Sequence, residues 1–138
     1  LYFGPRYGDR PRWREAYAHV FAERAPHDLV FGMAAVVGQY YLDPGSINLR
    51  EHRDLVRLNS YTAFEPGRWA RRGRRTWFVV RREELADWPS ADRAAFEALL
   101  AEECRRTLVL PVRYTPRDLT VEVYVREPWA GGGGAAGP

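Results

Sequence analysis

The stretch Leu119-Thr120-Val121-Glu122-Val123-Tyr124-Val125-Arg126 constrains the fold more than any other part of the chain. Its β-branched and aromatic residues favour a pleated strand. Successive strand side chains point to opposite faces, so Leu119, Val121, Val123 and Val125 share one side, and Thr120, Glu122, Tyr124 and Arg126 the other. Such alternation is the mark of an antiparallel sheet with one dry and one wet face. Thr115-Pro116-Arg117-Asp118 has a proline in a turn-favoured position, and Thr107 to Tyr114 supplies the returning strand of a hairpin. Pro111 lacks an amide hydrogen, which places that returning strand at an edge or a bulge.

A covering helix is expected directly upstream, from Ser90 as N-cap to about Arg106. Asp92 stands in its first turn and Arg105-Arg106 in its last, as the helix dipole favours. Phe96, Leu99, Leu100 and Cys104 form its apolar stripe, expected to pack on the valines of the hairpin. Thr76 to Val80 is a further strand, carrying Trp77, Phe78, Val79 and Val80. Trp88-Pro89 closes the connection after it.

The amino-terminal part reads as helical. Arg12 to Arg24 follows Pro11 and sets Trp13, Tyr17, Val20 and Phe21 at helical spacing before Pro26. His27 to Leu42 is apolar on nearly every side, with small residues at Gly32, Ala34, Ala35 and Gly38 that let neighbours approach closely. Its length favours a buried helix; Val36, Val37, Tyr40 and Tyr41 also suit a central pair of strands. Asp43-Pro44-Gly45 is a turn, and Ser46 caps a third helix over about Ile47 to Asn59. The order is therefore α-α-α-β-α-β-β. The expected fold is α+β: an antiparallel sheet of about three strands, packed on one face by about four helices. Residues 1–128 are expected to form one domain, and the Gly/Ala-rich stretch 129–138 a flexible tail.

Charge is concentrated in Arg68-Trp69-Ala70-Arg71-Arg72-Gly73-Arg74-Arg75-Thr76-Trp77-Phe78-Val79-Val80-Arg81-Arg82. Seven of these fifteen residues are arginine and none is acidic. The whole chain carries only +3, so this +7 leaves −4 for everything else. All 21 basic residues are arginine, which excludes a lysine nucleophile, a Schiff base and a P-loop. Guanidinium forks suit phosphate or carboxylate. The candidate binding residues are Arg68, Trp69, Arg71, Arg72, Arg74, Arg75, Arg81 and Arg82, with Arg50, Arg53 and Arg57 as an outer stripe of the third helix. Trp69 or Trp77 would stack on an exposed base.

Three readings of this segment compete: contact with nucleic acid or a nucleoprotein complex, contact with an acidic protein partner, and a solvated surface without a role. The first is the leading expectation. In the second, Trp69, Tyr61 and Phe64 would anchor the partner. No RRM, KH or zinc-finger signature accompanies the arginines. A helix-turn-helix across Asp43–Ser46 is disfavoured, because the first helix is too apolar and Glu51 and Asp54 would repel phosphate.

Signs of catalysis are weaker. His27-Asp28 with His19, Asp43 and His52 matches no metal-ligand spacing, so no metal or cofactor is expected. Cys104 lies on a buried stripe; Ser46, Ser60 and Ser90 lack a nucleophile elbow. Glu83-Glu84 and Glu102-Glu103 read as solvated surface, and glycines 131–134 form no phosphate loop. A binding or regulatory protein is expected ahead of an enzyme, and a small enzyme whose site is not visible in the sequence is the third alternative. The single cysteine fits a reducing compartment. No apolar run reaches membrane-spanning length and no secretory signal is visible, so the expected location is the cytoplasm and no membrane partner is expected.

Overall fold

The computed structural model describes residues 12–25, 28–35, 37–38, 55–64, 75–114 and 116–127. Helix α1 spans Trp13–Glu23, followed by strands β1 (Leu29–Gly32) and β2 (Leu55–Arg57) and a 3-10 turn at Thr62–Phe64. Strand β3 (Thr76–Arg81) runs into a 3-10 helix at Arg82–Asp87, then helix α2 (Ser90–Glu103). The chain closes with β4 (Arg105–Leu110), a short ribbon of β5 (Arg113–Tyr114) and β6 (Arg117–Asp118), and β7 (Val121–Arg126).

The fold is α+β, as expected, but its sheet has five strands in the order β2-β1-β3-β7-β4, and it is mixed. Strand β1 pairs in parallel with both β2 and β3; β7 pairs antiparallel with β3 and with β4. Two expected helices are corrected by this. Residues 29–32 are a buried central strand, whereas Val37 and Gly38 are helical; Val36, Tyr40 and Tyr41, on which the strand alternative rested, lie outside the described residues. Leu-Val-Phe-Gly is apolar on both faces because both faces are covered, and such a run carries no period to separate it from a buried helix. Residues 55–57 are strand rather than the end of a third helix. Parallel pairing of Leu55 with Val30 and Val56 with Phe31 overrides the local helical spacing. The turn and most of the second helix of the helix-turn-helix reading, residues 43–54, lie outside the described residues.

The expected hairpin is present as β4 and β7, with the β5–β6 ribbon at its tip. Strand β4 is an edge strand, and Pro111 follows it instead of interrupting it. The orientation of β7 is reversed from expectation. Val121, Val123 and Val125 pack on Ala16, Tyr17 and Val20 of α1. Tyr124 joins Phe96 and Leu100 of α2 in a second core with Phe31, Phe78 and Val80. The sheet is therefore dry on both faces, not wet on one. A tyrosine counted as polar in a strand pattern supplied a core ring.

Helix α2 starts at Ser90 itself, with Pro89 at the cap position and no side-chain cap bond. Arg105 and Arg106 lie in β4, so they do not end the helix. Two glycines matter for packing. A Cβ on Gly32 would lie 1.8 Å from the Tyr17 hydroxyl, and one on Gly38 would lie 2.5 Å from the Tyr17 ring. Their lack of side chains seats that ring, whose hydroxyl donates to the Met33 carbonyl at 2.5 Å.

Candidate functional site

Strand β3 holds the described arginines of the basic segment, and it separates them. Arg75 precedes its first residue, whereas Arg81 ends it and Arg82 opens the next turn. Six residues at about 3.3 Å each set the two ends about 20 Å apart. Arg75 therefore stands at one end of the strand, and Arg81 and Arg82 at the other. Arg68, Trp69, Arg71, Arg72 and Arg74 lie outside the described residues, as do Arg50 and Arg53.

At the start of β3, Asp28 is buried to 2% exposure and gathers three donors on Oδ2. They are the Ala25 amide at 2.9 Å, Arg75 Nε at 3.1 Å and Trp77 Nε1 at 2.9 Å. The Arg75 guanidinium also lies 5.4 Å from the Trp77 ring centre and reaches the Glu23 carbonyl. On the α1 side His19 stands edge-on to Trp77 and shares a 3.1 Å hydrogen bond with Thr107. Burial of two donors and one carboxylate is tolerable because each answers another. Trp77 is core, so the stacking role expected of it does not apply.

At the far end, the Arg81 guanidinium faces Glu84 at 3.5 Å and Glu83 at 4.0 Å. Its backbone amide donates to the Met33 sulfur at 3.1 Å. Arg81 Nε is the one buried side-chain nitrogen or oxygen among the described residues that has no partner. Arg82 Nε meets Glu122 Oε1 at 3.0 Å, and Arg106 meets Glu122 Oε2 at 3.0 Å. Tyr124 donates its hydroxyl proton to Glu122 Oε1 at 2.8 Å. Burial, then this bond to Glu122, pushes the Tyr124 phenol up to about 12. A carboxylate on the sheet interior thus neutralises two surface arginines. Arg75, Arg81 and Arg82 are all engaged within the fold, which weakens their expected role at phosphate.

Arg57 belongs to a different place. It ends β2 opposite Gly32, level with Val79 and near the Arg81 end of the sheet. It is exposed, and it leads into a turn locked by side chains. Asn59 Oδ1 accepts from the amides of Tyr61 at 2.9 Å and Thr62 at 3.0 Å. Thr62 Oγ1 donates to the Arg57 carbonyl at 2.6 Å and accepts from the Asn59 amide at 2.9 Å. Leu58 and Ala63 anchor both shoulders of the turn in the core. The expected third helix ended at Asn59, and the pairing of Asn59 with Thr62 beyond it is a signal the sequence reading missed.

The other candidate groups have structural tasks. Gly32 ends a parallel strand and Gly38 follows it, but the Tyr17 ring fills the space that their missing side chains leave. Burial pushes the Cys104 thiol up to about 12, far from nucleophilic at neutral pH. Glu83 accepts a two-pronged bond from Arg117, at 2.9 Å to Oε2 from Nε and 2.7 Å to Oε1 from Nη2. Glu103 pairs with Arg126 at 2.7 Å. Among the described residues no cluster of His, Cys, Asp or Glu could hold a metal ion, and no helix is long and apolar enough to cross a membrane. His27, Asp43, Ser46 and His52 lie outside the described residues.

No protein-family model, curated protein or solved structure matches the chain.

Proposed function

We propose that the chain is a binding protein that contacts nucleic acid, or a nucleoprotein complex, through Arg68, Arg71, Arg72 and Arg74. The observation that carries this reading is the pairing of the other basic groups in the segment. Arg75, Arg81 and Arg82 meet Asp28, Glu84 and Glu122, so their charge is answered within the fold. The seven residues 68–74 contain four arginines and no acid. They lead directly into Arg75, which is rooted on the buried Asp28. Guanidinium groups in such density favour a polyanion. The lone Cys104 fits a cytoplasmic setting.

Fluorescence anisotropy with short DNA and RNA, single- and double-stranded, tests the proposal. Four phosphate contacts on duplex DNA give a log–log salt slope of about −3.6, a loss on the order of 100-fold between 50 and 200 mM salt. Arg71/Arg72/Arg74→Ala removes most of that slope, whereas Arg81/Arg82→Ala leaves it in place. Absence of binding at low salt refutes the proposal. An acidic protein partner for the same arginines and Trp69 is the outcome if the triple variant loses a nuclease-resistant complex but no nucleic acid binds.

A further inference from the structure

We draw no further inference here: the strongest candidate, the side-chain cluster at the carboxyl ends of β1 and β3, where Arg81 Nε is buried without a partner, carries nothing, because residues 39–54, which continue from β1, lie outside the described residues and nothing in the structure shows what covers it.

Discussion

Replacing Asp28 by alanine should be among the most damaging single changes in the chain. The carboxylate is almost fully buried and holds three donors from three parts of the fold. Its removal leaves the Trp77 indole nitrogen buried without an acceptor, at a cost of about 1–3 kcal/mol. It also leaves Arg75, only 29% exposed in its side chain, without its counter-ion. Breaking a largely buried pair from one side costs about 3–5 kcal/mol. These costs overlap, so a total of about 4 kcal/mol is expected, a large fraction of the stability of a domain this size. Trp77→Phe removes the indole donor and part of the ring, for about 1–2 kcal/mol. In the double variant the orphaned donor no longer exists, so the two effects should fall short of additivity by about 1–2 kcal/mol. Urea unfolding followed by circular dichroism gives all four corners of this cycle. A loss below about 1 kcal/mol for Asp28→Ala, or strict additivity, refutes the view that this carboxylate closes the amino end of the sheet.

Val123→Asp and Tyr124→Asp should both destabilise by several kcal/mol in thermal melts, because one residue faces α1 and the other α2; a mild effect from either would mean an uncovered sheet face. The Arg117 bond holds the Glu83 carboxyl below its ordinary value of 4.5. Its stabilising effect is present above that value and lost as pH falls through the lowered one, so wild type and Glu83→Gln should converge in stability towards acid pH and diverge above pH 5. Gly32→Ala should cost more than 2 kcal/mol through collision with the Tyr17 hydroxyl, measured by urea unfolding. If the variant is instead neutral, the cradle is loose enough to have other occupants.

Local pattern exposed the elements whose neighbours are close in sequence. Helices α1 and α2, strand β3 and the β4–β7 hairpin were legible because amphipathic period, turn residues and β-branched runs all act within a few residues. The parallel strands were not. Gly32 pairs with Arg57 and with Val79 across long connections, and such pairing leaves no trace in the residues between. Leu55-Val56-Arg57 is too short to show an alternation, and its strand state comes from β1 beside it. The second dry face was hidden for a related reason. Thr120, Glu122 and Tyr124 look polar, but Glu122 is buried with Arg82, Arg106 and Tyr124 around it. A pattern that sorts residues by polarity cannot register a charge that is neutralised by partners from three other positions.

The same limit shaped the reading of the arginines. Sequence density made Arg68 to Arg82 look like one surface, whereas the length of β3 and the acids around it give Arg75, Arg81 and Arg82 separate structural tasks. Arg75 locks the amino end of β3 to α1 and β1 through Asp28. Arg82 and Arg106 close the opposite region over Glu122, and Arg117 ties the hairpin tip to the 3-10 helix through Glu83. These pairs join segments far apart in sequence, the service a chain without lysine can ask of arginine because the planar fork holds direction as well as charge. Much of the basic character thus belongs to the fold. Within the segment 68–82, the four arginines of residues 68–74 are the ones the proposal assigns to a partner.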